Sequence, residues 1–323
     1  MPTELPVVNL ARAAGAGDPA LRRGLAQALF EGIAGSACVW VEGHGVPDDV
    51  AADVVEVSRR FFARPRRAKA EVEWDGHGLW RGWQPAIEGG DRYGGRARGT
   101  DLLERLEQNF TPSQGGVDPQ GNRWPSEPAD LRPAWERYAR HLGELSCGIV
   151  GLLADALDLP APLLEPWTAG RTCNLVANYY PAVPPESAGG RQRLQAHADH
   201  SGITILMVDD APGGLESRSA DGEWAEVGHR PGALLVQAGT LLQRWSNGLL
   251  PPNVHRVRLP APGAHGRPDR LSLAWFHYPD PELVVEPAPS CVGTGGARYA
   301  GLLSGTYAAA RQAAYGRGEA TTV

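Results

Sequence analysis

The chain has almost no lysine: Lys69 is the sole one among 31 basic residues. Positive charge therefore comes as arginine, scattered rather than clustered. With a formal net charge of -6 and no basic run, the sequence excludes a nucleic-acid partner, because phosphate neutralisation requires grouped Lys and Arg. The arginine bias, with abundant Ala and Gly, reads as the mark of a GC-rich genome. Long apolar runs are missing too, and no stretch approaches the ~18 residues that a membrane span requires. The first residues, Met1 to Pro6, show neither the basic nor the apolar region of a secretory leader. These absences predict a cytoplasmic protein with no membrane partner. Cysteine is scarce: Cys38, Cys147, Cys173 and Cys291 are far apart, lack CxxC spacing and sit mostly in apolar segments, as reduced core thiols do. What remains is an ordinary balance of 42% hydrophobic and 21% charged residues over 323 positions. That suits a packed, enzyme-sized fold with one substantial core.

Periodicity divides the chain into a mixed region over 1–120 and a second part over 121–323. Leu5–Leu10 reads as a short strand, and Asp18-Pro19 supplies a cap and first-turn proline for a helix whose stripe is Leu21, Leu25, Leu29 and Ile33. Ala37–Val41 is β-like, and Pro47-Asp48 opens a helix with Val50, Val54, Val57 and Phe61 on one face. From Trp74 to about Thr100 periodicity vanishes while Gly and Trp accumulate, which predicts a long functional loop. A long helix follows, with Trp135, Tyr138, Leu142, Leu145, Ile149 and Leu152 as its buried stripe. Beyond Pro160 come short β-like runs: Cys173–Tyr180, Leu194–Asp199, Ile203–Val208, Ala233–Gln237, Val254–Leu259 and Leu271–Phe276. Gly213-Gly214 and Asp221-Gly222 are hairpin signals between them. Short strands at such spacing predict a sandwich or jelly roll. The tail from about Ala297 to Ala314 returns to helical composition, with Tyr299, Leu302, Leu303 and Tyr307 facing inward.

The chemistry-bearing pattern starts at His197-Ala-Asp199. Strand side chains alternate, so these two point to one side. His255 arrives from Asn253-Val-His-Arg-Val, far downstream, where another strand of the same sheet brings it alongside. Two His and one carboxylate form the facial triad of non-haem iron(II), which leaves coordination positions open. An HxD pair alone fits a surface turn with a satisfied histidine better. Arg270-Leu-Ser272 changes the weighting, because a guanidinium fork and a hydroxyl on one strand face are built for a carboxylate.

In this order, with Asn178-Tyr-Tyr-Pro181 upstream, the motifs resemble those of the isopenicillin N synthase-like family of iron(II)/2-oxoglutarate-dependent oxygenases. Pro6–Leu10 and Val41–Pro47 are similar to its N-terminal region, and Gly213–Glu216 and Leu241–Asn247 to its core strands. The resemblance implies a mainly β fold with flanking helices, a double-stranded β-helix (jelly-roll, cupin-like) core with a helical N-terminal region outside it. It implies Fe(II), with 2-oxoglutarate and dioxygen as cosubstrates, His197, Asp199 and His255 as metal ligands and catalytic residues, Arg270 and Ser272 on the distal carboxylate, and Asn178 and Tyr180 near the cosubstrate. It also implies oxidation of a small molecule, by hydroxylation, desaturation or cyclisation, in specialised (natural-product) metabolism. A monomer or weak homo-oligomer is expected. The sequence departs from commoner patterns at Asn253-Val254, Ala274-Trp275 and His277-Tyr278, so substrate identity does not transfer. The rivals are an isopenicillin N synthase-type oxidase that does not consume 2-oxoglutarate, a zinc-dependent hydrolase, for which the same ligands serve, and a non-catalytic jelly-roll module.

Other residues divide between site and scaffold. Trp83, Asn109, Phe110 and Phe276 are expected at the substrate pocket, and Trp74 and Trp80 belong to the same Gly-rich stretch. Arg92, Arg96 and Arg98 read as solvated. His200 is expected beside the metal site without ligating, His44 in a structural turn, Trp245 in the core, and His277 on the strand face opposite Ser272 unless a bulge intervenes.

Overall fold

A computed structural model describes residues 4–12, 18–75, 80–86, 101–110, 121–169, 172–182, 192–211, 214–260 and 268–316. In chain order the elements are β1 (Val7–Asn9), α1 (Pro19–Ser36), β2 (Cys38–Glu42), α2 (Asp48–Phe62), α3 (Arg66–Lys69), β3 (Gly82–Gln84), β4 (Glu104–Phe110), α4 (Leu131–Ala156) and α5 (Ala161–Thr168). There follow β5 (Cys173–Tyr180), β6 (Leu194–Ala198), β7 (Ile203–Met207), β8 (Leu215–Arg218), β9 (Trp224–Glu226), β10 (Ala233–Ala238), α6 (Thr240–Trp245), β11 (Val254–Val257), β12 (Arg270–His277), β13 (Val284–Val285), β14 (Leu302–Leu303) and α7 (Ser304–Gly316).

Eight strands form one sheet in the order β1-β2-β10-β7-β12-β5-β4-β3, and four form a second, β6-β11-β8-β9. Together they make the jelly-roll core. Alternation gives the inner strands of the large sheet two buried faces. One packs on α1, α2 and α4 through Leu29, Ile33, Val54, Trp135, Leu142 and Ile149, all essentially inaccessible. The other faces the small sheet through a second cluster that includes Trp40, Leu206, Leu235 and Ala274. The polar members of that inner face build the site. Strands from before and after residue 120 share the large sheet, since β4 lies against β5 along its whole length.

Local chemistry explains the helix boundaries. The Asp18 side chain accepts from the Ala20 amide, Pro19 stands in the first turn, and the chain leaves α1 through a left-handed Ala37. The structure differs from the sequence reading in several places, β4 and α5 among them, for which no element was predicted. The expected loop from Trp74 to Thr100 contains β3, an edge strand whose Trp83 lies opposite Leu106; three residues are too few to show alternation, and 76–79 and 87–100 lie outside the described residues. Leu241–Asn247 was expected to be a strand and is instead the short helix α6, because Leu241, Leu242 and Trp245 share one buried helical face. The C-terminal helix begins at Ser304; Leu302–Leu303 before it pairs with Val284–Val285, leaving Leu303 37% exposed. Of the hairpin signals, Gly222 turns between β8 and β9 at φ +88°, while Gly213 lies outside the described residues. No helix among the described residues is long and apolar enough to cross a membrane.

Candidate active site

Antiparallel pairing of β6 with β11 sets His197 directly opposite His255, and their rings lie 4.3 Å apart between centroids. Asp199 follows just past the end of β6, with Oδ1 3.6 Å from His197 Nε2. Ligand atoms of all three residues fall within 4.8 Å of one another, and all three side chains are buried.

Hydrogen bonds fix which atoms face the centre. His197 Nδ1 lies 2.8 Å from the Gln195 carbonyl and His255 Nδ1 3.1 Å from that of Asn253. A carbonyl only accepts, so both Nδ1 atoms carry protons, and in that tautomer Nε2 is the ring nitrogen whose lone pair can ligate a metal. Thr204 donates its hydroxyl to Asp199 Oδ2 at 2.6 Å, which leaves Oδ1 for the centre. Burial, reinforced by neighbouring His255, holds the His197 pKa well below the usual histidine range and so keeps the ring neutral. The Asp199 carbonyl accepts from the Thr240 amide at 2.9 Å. This close approach explains Gly239: a Cβ there would sit 2.1 Å from the Ser201 carbonyl oxygen.

Two cavities meet at these ligands. The inner one, about 30 Å³, is walled by Arg105, Asn178, Tyr180, Arg270 and Ser272 along with the triad. Strand register lines these up, with Arg270 opposite Tyr180, and Asn178 between Ser272 on one side and Arg105 on the other. Arg105 Nε donates to Asn178 Oδ1 at 2.9 Å. The Arg270 guanidinium is 2% exposed, lies 5.2 Å from the Tyr180 ring centre, and leaves Nη1 and Nη2 without a hydrogen-bond partner. A buried cation with its fork unsatisfied is costly, and a carboxylate is the group that satisfies it. The donor set thus fits a metal-chelating dicarboxylate, with one acid end at the triad and the other at Arg270.

The outer cavity, about 330 Å³, shares His197, Asp199, Arg105 and Phe276 with the inner one and extends to Trp80, Glu107, Tyr278 and Arg311. Phe276 lines both cavities. Trp83, Asn109 and Phe110 lie outside the lining of both cavities. Trp83 is 1% exposed, gives its indole N–H to Glu104 and lies under the Lys69 ammonium. Phe110 points to the helical side of the sheet against Trp124 and Trp275. Asn109 shares the inner face but bonds to the Trp80 carbonyl, so it backs the wall.

His200 lines the outer cavity; burial first, and the Arg311 charge second, lower its pKa to about 4. His277 is fully buried away from both cavities, between the Ser146 hydroxyl and the Trp167 carbonyl, and burial lowers its pKa to about 4. His44 holds a turn by accepting from the Val46 amide, and Trp245 stacks on Trp167 in the core. Arg92, Arg96 and Arg98 lie outside the described residues. Sequence reading missed Arg105, Glu107 and Arg311. The first two had a signal, since Arg105, Glu107 and Asn109 alternate with Leu106 and Phe110.

Residues 171–279 match the model of the 2OG-Fe(II) oxygenase superfamily, and residues 5–127 match that of the non-haem dioxygenase in morphine synthesis N-terminal region. This chain belongs to the 2-oxoglutarate- and iron(II)-dependent oxygenases. Relatives of this oxygenase include homoarginine-6-hydroxylase 2-ODD-233 of Oryza sativa, 29% identical over 83% of this chain and 82% of the relative. Validamycin A dioxygenase of Streptomyces hygroscopicus is 27% identical over 91% of this chain and 82% of its own. Among solved structures, a full-length Neurospora crassa protein in complex with alpha-KG and thymine superimposes with TM-score 0.83 at 26% identity, covering 96% of each chain. The oxygenase is thus a dioxygenase of small molecules whose cofactors are Fe(II) and 2-oxoglutarate.

Proposed function

We propose that His197 Nε2, Asp199 Oδ1 and His255 Nε2 hold the iron(II), and that Arg270 and Ser272, beside Asn178 and Tyr180, take the distal carboxylate of 2-oxoglutarate. The small-molecule substrate then occupies the outer cavity. The observation that carries this reading is the buried Arg270 fork, whose two terminal nitrogens lack partners at the far end of a cavity that begins at the triad. When bound, iron and 2-oxoglutarate supply dioxygen activation coupled to decarboxylation of the keto acid to succinate.

The chain's own work is placement. Gln195 and Asn253 carbonyls hold the two imidazoles in the ligating tautomer, and Thr204 holds the carboxylate. Arg270 draws the cosubstrate's free acid end away from the metal, so that end cannot compete for coordination. Phe276, at the wall common to both cavities, keeps water from the neck between them, and a C–H bond lying over the triad is the one oxidised. Hydroxylation is the default outcome, and desaturation or cyclisation follows when the substrate lies differently. Natural-product metabolism is supported by relatives such as the validamycin A dioxygenase; the cellular setting we assign is the cytoplasm, as a monomer or weak homo-oligomer.

The test is succinate release from 2-oxoglutarate across a metabolite library, with His197→Ala as the blank. Stimulation by particular compounds, lost in the blank, is expected. A visible charge-transfer band on anaerobic addition of 2-oxoglutarate to the iron(II) protein is expected as well. Its absence, with no succinate formed, would instead favour the oxidase that does not consume 2-oxoglutarate.

A further inference from the structure

The outer cavity has two unlike walls. The sheet wall carries Glu107, 2% exposed, whose Oε1 accepts from Asn174 Nδ2 at 2.7 Å. The opposing wall is α7, and the residues it contributes are Ser304, Gly305, Ala308 and Arg311. Positions 304, 308 and 311 recur at helical spacing, so they share one face. Three of these four side chains are minimal and leave volume; the fourth is a long cation. Arg311 has no acidic partner among the described residues. Its guanidinium lies 5.2 Å from the Tyr307 ring centre, and Tyr307 is itself fixed by a 2.8 Å hydrogen bond between its hydroxyl and Thr240 Oγ1. The Thr240 amide in turn binds the carbonyl of Asp199 at 2.9 Å. The helix that carries the cation is thereby tied to the segment that carries Asp199. Between the walls lie Trp80, Phe276 and Tyr278, which offer ring faces to an apolar body.

We propose that the substrate is a small carboxylic acid with an apolar, ring-bearing body, and that Arg311 binds its carboxylate; this rests on the outer cavity being the substrate site. A planar acid group matches the planar guanidinium fork. Arg311 sets the direction: carboxylate toward α7, body across the aromatic side chains, with the carbon to be oxidised left beside the triad. Arg105, which also lines the inner cavity and is bonded to Asn178, serves the cosubstrate side. Arg311 is thus a specificity-determining residue that acts on the substrate alone.

The test uses ligand-observed NMR titrations of the protein loaded with zinc(II) and 2-oxoglutarate. The probes are 3-phenylpropanoate, cyclohexylacetate and naphthalene-2-acetate, each paired with its primary amide. The acids are expected to bind about tenfold or more tightly than the amides, a ratio that Arg311→Gln reduces to about twofold and Arg311→Lys largely keeps. The affinity for 2-oxoglutarate is expected to stay unchanged in both variants. Amides that match the acids, acids that do not bind, or a preference that survives Arg311→Gln would overturn the assignment. Ala308→Trp, which fills the cavity, separates the two levels: it should abolish binding of acids and amides alike. Probes still bound by that variant would remove the outer cavity as the substrate site, whatever the acid preference.

Discussion

Each atom proposed to face the metal in this oxygenase is chosen by a neighbour that takes the alternative atom out of use. Backbone carbonyls occupy Nδ1 of His197 and His255, and Thr204 occupies Oδ2 of Asp199. Partners of this kind typically change metal affinity by ~10–100-fold. Thr204→Val, close in shape but without the hydroxyl, should therefore weaken iron(II) binding by about that factor while leaving the fold intact, measured by competition with a chelator and by circular dichroism. Unchanged affinity would show that the carboxylate orients itself. Arg270→Gln removes the charge but keeps hydrogen-bonding capacity, and loss of one charge-assisted pair is worth about 1.5–3 kcal/mol. The KM for 2-oxoglutarate should rise by about one to two orders of magnitude with bound iron unchanged. A rise in substrate KM alone would place Arg270 on the wrong side of the metal.

At the scale of elements, the turn from β10 into α6 matters most. It brings Gly239 against Ser201 and the Thr240 amide against Asp199, so it fixes the carboxylate ligand through the backbone. Gly239→Ala would force a Cβ into a carbonyl oxygen. The expected result is a loss of stability of about 2 kcal/mol or more, in the range of overpacking effects, together with weakened metal binding in a chemical denaturation series with and without iron. The triad and the Arg270–Ser272 pair were legible in the sequence because strand alternation converts two-residue spacing directly into a shared face. Helices α1, α2 and α4 were legible because their stripes repeat at 3.6 residues. Arg311 was not, because α7 lies against a cavity and not a core, and its lining face of small residues carries no apolar stripe. Trp83 misled for the converse reason: its surroundings are Gly-rich in sequence, yet pairing of β3 with β4 seals it beneath Lys69. The α6 segment misled because six residues are too few for a period that separates helix from strand.

For the whole molecule, three desolvated imidazoles link stability to pH. His200 and His277 have pKa values lowered to about 4, and His197 lies well below the usual range. In the unfolded chain each regains an ordinary value near ~6.5. Between about 6.5 and 4 the unfolded state therefore binds protons that the folded state refuses, and stability falls as pH falls, by up to ~1.4 kcal/mol per pH unit for each ring. Below the folded values the contribution is gone. Urea midpoints of the metal-free protein should drop steadily across that window, and His277→Gln should make the drop shallower; a flat profile would contradict the burial of these rings.

The large sheet also has a consequence for how the chain comes to be. Trp40 on β2 lies opposite Leu235 on β10, and β4 is zipped to β5. As the polypeptide leaves the ribosome, β2 has one flank satisfied by β1 and must wait for β10, synthesised much later, to cover the other. During that wait an apolar ribbon stands open to self-association. Slowing synthesis between α4 and β10 should therefore lower the yield of native enzyme more than an equal pause placed after β12.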